Sequence, residues 1–61
     1  MAQVYVGCFN EADLNEGRDK SLVARKMAET GLNYTNTKIV YKNGVPAGLK
    51  IWVCDKDTFT I

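Results

Sequence analysis

Cys8 and Cys54 are the candidate nucleophiles of this 61-residue chain, and the sequence has no histidine to activate either of them. A thiol attacks as the thiolate, which needs an accessible, electropositive setting. Without histidine, hydrolase-type triads and imidazole general bases are excluded. A tetrahedral zinc site needs more soft ligands than two distant cysteines supply. Carboxylates gather in two places, Glu11/Asp13/Glu16 and Asp55/Asp57. Paired carboxylates do acid–base work or bind a hard cation. Here both groups lie in polar stretches and read as solvated charges. Asp55-Lys56-Asp57 is too short for a calcium loop, and no glutamate closes it. Gly17-Arg18-Asp19-Lys20-Ser21 sits where a helix begins, but it lacks the glycine spacing of a phosphate loop. The expectation is a protein without catalytic residues, metal or cofactor.

The remaining chemistry is that of recognition, carried by aromatic side chains and lysines, so the elements that position them decide its meaning. Gln3 to Phe9 reads as a strand. Strict alternation places Val4, Val6 and Cys8 on one side of it, with Tyr5 and Phe9 on the other. Asn10 to Lys20 is polar and contains Gly17, which costs about 1 kcal/mol inside a helix. That stretch therefore reads as a loop or frayed turn, with N-cap character at Asn10, Asp13 and Asp19. The firm helix is expected from Asp19 to Thr30. Its apolar stripe is Val23, Ala24, Met27, Ala28 and Gly31, widened by Leu22. Gly31 suits the left-handed residue that ends a helix.

Thr37 to Cys54 reads as a hairpin. Its turn is either the two-residue Asn43-Gly44 or a wider loop over residues 43–48 that excludes Pro46 from pairing. Both registers leave the faces unchanged. Val40 then joins Leu49, Ile51 and Val53, while Ile39 and Tyr41 join Lys50, Trp52 and Cys54. A bulge at Gly7 or Gly48 would exchange faces.

The resulting fold class is α+β, a single domain over residues 1–61 with β-α-β-β order. A three-stranded sheet of order 1-3-2 carries one helix on one face, and Thr58 to Ile61 forms an arm or short C-terminal edge strand. The apolar third strand belongs in the centre, and a right-handed crossover makes the first two strands parallel. The helix covers Val4, Val6, Cys8, Val40, Leu49, Ile51 and Val53. Opposite it stand Tyr5, Phe9, Ile39, Tyr41, Lys50 and Trp52, a cluster larger than a small monomer ordinarily exposes.

Those six residues are the candidate partner-binding site. A chain this short buries only about 60% of its unfolded surface, so a staple such as self-association, as a homodimer, is expected. The lead functional reading is a small non-enzymatic protein-binding module. It would be a regulator or inhibitor of the kind common in phages and mobile elements. The alternative is a single-stranded nucleic-acid-binding domain using the same face, with Lys50 on it and Lys38 and Lys42 at its edge. A net charge of +1 weighs against nucleic acid. A third outcome has the tail folding back, so that Phe59 and Ile61 cover part of the face. Cys8 and Cys54 fall at opposite ends and on opposite faces, so no disulfide is expected. The N-terminal stretch has no basic leader, and no apolar run is long enough to span a membrane, which points to a cytoplasmic protein.

Overall fold

The computed structural model describes residues 2–59. Its elements are β1 (Gln3–Phe9), α1 (Glu11–Glu16), α2 (Arg18–Thr30), β2 (Tyr34–Lys42) and β3 (Val45–Cys54). The sheet has the order β1-β3-β2, with both outer strands antiparallel to β3. This is the expected α+β sheet.

The segment expected to be a loop before the main helix is a helix of its own. Asn10 caps it: its side chain accepts from the Asp13 amide at 2.8 Å, and Asp13 accepts in return from the Asn10 amide at 3.3 Å. This reciprocal pair satisfies two amides that a helix start otherwise leaves unpaired. Gly17 does not weaken a helix interior, because it lies between the helices at φ 77° and closes α1. Arg18 spans the break, reaching Asp13 at 3.4 Å and Glu16 at 3.1 Å. Gly31 ends α2 at φ 76°, its amide donating to the Met27 carbonyl at 2.8 Å.

Asn43 and Gly44, at φ 55° and 78°, form the two-residue turn. Positive φ at both positions matches the twist of the strands it joins. The wider loop is not adopted: Pro46 lies in β3 and pairs with Tyr41.

Two bulges then decide the faces. In β1 the register jumps between Tyr5 and Gly7, leaving Val6 as the extra residue. In β3 it jumps opposite Val40 and Tyr41, leaving Ala47 extra. One extra residue inverts everything beyond it. Phe9 consequently pairs with Leu49 on the side of Ile51 and Val53, and Cys8 pairs with Lys50 on the other. Likewise Ile39 pairs with Leu49, and Lys38 with Lys50. The expected positions of Phe9, Ile39, Tyr41, Val40 and Cys8 are therefore each reversed.

The core is thin. Among the described residues only Phe9, Ile51, Val53 and Cys54 are buried. Phe9 folds back over Gly7, where a Cβ would stand 3.3 Å from its ring. The helix α2 packs on β1 and β3, and α1 on β1 and α2. Val23 and Met27 face inward and are half-buried, whereas Leu22, Ala24 and Ala28 of the expected stripe are exposed. The helix side of β2 lies beyond this cover, which leaves Ile39 49% and Tyr41 61% exposed. No helix among the described residues is long and apolar enough to cross a membrane.

Candidate partner-binding face

The side of the sheet away from the helices is assembled from three strands. Tyr5 comes from β1 and Cys8 follows beyond its bulge. Asn36, Lys38, Val40 and Lys42 come from β2, and Lys50 and Trp52 from β3. Tyr5 and Trp52 are cross-strand partners with ring centroids 5.5 Å apart and planes tilted by 57°. Trp52 is half-buried and Tyr5 is 48% exposed. Tilted aromatic pairs of this kind add roughly 0.5–1.5 kcal/mol beyond their area burial.

Of the six residues expected to form the site, the fold brings together three: Tyr5, Lys50 and Trp52. Phe9 is sealed beneath the helices at 4% exposure. Ile39 and Tyr41 stand on the helix side. There Ile39 lines an open apolar groove of about 880 Å³, together with Leu14, Pro46 and Leu49. The residues that take their places on the open face are Cys8, Lys38 and Val40, with Lys42 continuing the row at the hairpin end. Gly7 and Gly48, each adjoining a bulge, are the signal that marks these exchanges in the sequence.

One end of the face is closed by the residues after β3. Asp55 holds them. Its carboxylate accepts from the Thr58 amide at 2.8 Å and from the Ala2 amide at 2.9 Å. The Asp55 amide in turn donates to the Ala2 carbonyl at 3.0 Å. The side-chain and backbone hydrogen bonds from Thr58, helped by Ala2 and the N-terminal charge, bring the Asp55 carboxyl down to about 2. Asn36 donates to Gln3 at 3.0 Å and to the Thr58 carbonyl at 3.0 Å. Phe59 meets the Tyr34 ring at 5.2 Å. The tail thus packs at the Cys54 end, where Phe59 meets Tyr34 rather than one of the six residues expected on the face. No strand follows Cys54 in residues 55–59, and Ile61 lies outside the described residues.

Cys54 is buried, and burial followed by the neighbouring Asp55 charge pushes its thiol up, away from the reactive thiolate. Cys8 is exposed rather than a core residue. Both cysteines are free, at opposite ends of the sheet but on the same side of it. Asp13 and Asp55 are engaged in a helix cap and a tail turn, so neither cluster is merely solvated. No group of potential metal ligands occurs among the described residues.

No protein-family model, curated protein or solved structure matches this chain. Function is therefore argued from the face itself.

Proposed function

We propose that this chain is a small non-enzymatic binding module, a regulator or inhibitor, whose working surface is the open sheet face centred on Tyr5, Lys50 and Trp52. One observation carries the reading. A tilted Tyr–Trp pair and a row of lysines occupy a side of the sheet over which no described helix packs. Tyr and Trp dominate binding energetics because they bury a large area at little cost in rotamer entropy. The non-enzymatic reading is supported by the burial of the Cys54 thiol, by the lack of any histidine to activate the exposed Cys8, and by the structural hydrogen bonds of Asp13 and Asp55. The test is a Tyr5→Ala/Lys50→Glu double variant studied by urea unfolding. A working face gives a stability loss below about 1 kcal/mol, within the range of surface substitutions. A loss of about 3 kcal/mol or more, the size of a core truncation, would end the reading.

A second reading, self-association as a homodimer, is favoured by a different observation. On the uncovered helix side of β2, Ile39 is 49% and Tyr41 61% exposed. Ile39 lines the groove there, and Tyr41 stands on the same side of β2. Docking a second copy there would bury both. Sedimentation equilibrium of the wild type and of Ile39→Asp decides it: a dimer that the variant abolishes is expected, and a monomeric wild type at sub-millimolar concentration rejects it.

A further inference from the structure

We infer that the open face binds single-stranded nucleic acid, with Tyr5 and Trp52 stacking on bases and Lys38, Lys42 and Lys50 neutralising phosphates. This rests on the open face being the working surface, and it names the partner. A net charge of +1 conceals how the charges are sorted. Five of the seven carboxylates are on α1 and α2, and the other two are Asp55 and Asp57 in the tail. The strands carry no carboxylate at all, and their three lysines occupy the same side. The sheet is a cationic surface attached to a remainder in which seven carboxylates outnumber five cations.

Lys38 and Lys50 stand directly opposite each other in the β2–β3 register. Like charges so placed destabilise a sheet. Among the described residues neither has an ion-pair partner, and nor does Lys42. The fold gains nothing from this arrangement, and a polyanion laid along the face relieves it.

The rings complete the case. Cores of protein–protein interfaces are depleted in lysine. The bulges moved Phe9, Ile39 and Tyr41 off this face and brought Lys38 onto it, opposite Lys50. What remains is less apolar and more cationic than a protein-docking patch. It is the composition of surfaces that hold unpaired bases, where stacking tolerates any sequence and cations follow the backbone. Duplex bases already have their ring faces occupied, so a single strand is the ligand. Tyr34 is left out because Phe59 meets its ring.

The experiment uses Trp52, the only tryptophan, as reporter. The full chain is titrated with a short oligodeoxythymidylate and, separately, a short oligouridylate, at low and at physiological salt. Quenching by at least one is expected, and the two arms separate DNA from RNA. Neutralising three phosphates gives a slope of about −2 in log affinity against log salt. Tyr5→Ala, which keeps the reporter, should weaken binding about 5- to 100-fold. Lys38→Glu and Lys50→Glu should each flatten the salt slope, and a duplex should compete poorly. Binding unaffected by Tyr5→Ala and Lys50→Glu would overturn the inference, because the strand would then lie elsewhere. Quenching by neither oligonucleotide would also overturn it. If a short polyglutamate then binds in a Lys50-dependent way, the face takes an acidic protein segment, and the binding-module reading survives without nucleic acid. Failure of the module reading shows separately, as a core-sized stability loss in the Tyr5→Ala/Lys50→Glu variant.

Discussion

On the helix side of the sheet, Phe9, Ile51 and Val53 are almost wholly withdrawn from water, while on the other side Tyr5 keeps 48% of its surface and Lys38 faces Lys50. Both sides are made from the same three strands and separated only by alternation. The helix side satisfies the hydrophobic requirement of a very small domain with a few well-placed groups. The open side keeps a like-charge pair that no packing argument requires. A contrast of this kind separates residues retained for folding from residues retained for contact.

The strongest way to break the contrast is Phe9→Ala. If Phe9 belongs to the core, truncation costs about 3–5 kcal/mol. That is a large share of the roughly 3–9 kcal/mol expected for a chain of this length. Urea unfolding measures it, and a loss under about 0.5 kcal/mol would return Phe9 to the surface and remove the β1 bulge. Gly48→Ala comes next. A Cβ there would stand 3.1 Å from the Cys8 sulfur and 3.3 Å from the Phe9 carbonyl oxygen. Because one obstacle is backbone, the cost should be about 1–3 kcal/mol. Unchanged stability would mean that β1 and β3 approach less closely at this point.

Trp52→Ala sharpens the comparison from the other side. It should cost less than Ile51→Ala, for which about 2–5 kcal/mol is expected, although the two residues adjoin in β3. Equal losses by thermal denaturation would erase the distinction between the faces.

Asp55 gives a pH signature smaller than any of these, because it fastens the tail and the strand ends at Ala2 rather than the core. Its carboxyl lies at about 2 rather than the ordinary 3.8. A lowered carboxyl favours the folded state above its unfolded value, and the gain is lost as pH falls towards the folded one. The Tyr34–Phe59 contact should therefore persist at pH 5 and loosen between about pH 4 and 2. Nuclear Overhauser contacts between the rings follow it directly. Release already complete above pH 4 would show that Asp55 does not hold the tail.

The smallest expected effect has the opposite sign. Lys38→Glu replaces a like-charge pair with an opposite one and should stabilise the sheet by about 0.2–1 kcal/mol. A gain in stability together with a loss of oligonucleotide binding would show that the lysines serve contact at the expense of the fold.

Much of the fold was legible because its signals are local. Asn43-Gly44 demands a two-residue turn, Gly31 supplies a helix end, and the apolar run ending at Cys54 belongs in the centre of a sheet. Asn10 and Asp13 carried a cap signal too, although Gly17 obscured the short helix that they begin. The faces were less legible. Gly7 and Gly48 mark where a strand is irregular, but whether a residue is inserted is decided by how the strands meet. Phe9 needs the space above Gly7, and Cys8 needs the space beside Gly48. These are tertiary requirements, and each moves several side chains at once. Tyr5 and Trp52 kept their expected side because they lie together on the Cys54 side of both bulges. Ile39 and Phe9 did not, because a bulge stands between each of them and the alternation first assigned to it.

Ala2 and Asp55 join the ends of β1 and β3 through two hydrogen bonds, so the chain enters and leaves the sheet side by side. This arrangement sets the molecule's mechanical character. Tension applied between the two ends does not shear β1 along β3. It falls first on the Asp55 clasp, then on Gln3 and Cys54, and travels one pair at a time towards Phe9 and Leu49. A domain pulled this way opens like a zip, each step breaking only a bond or two.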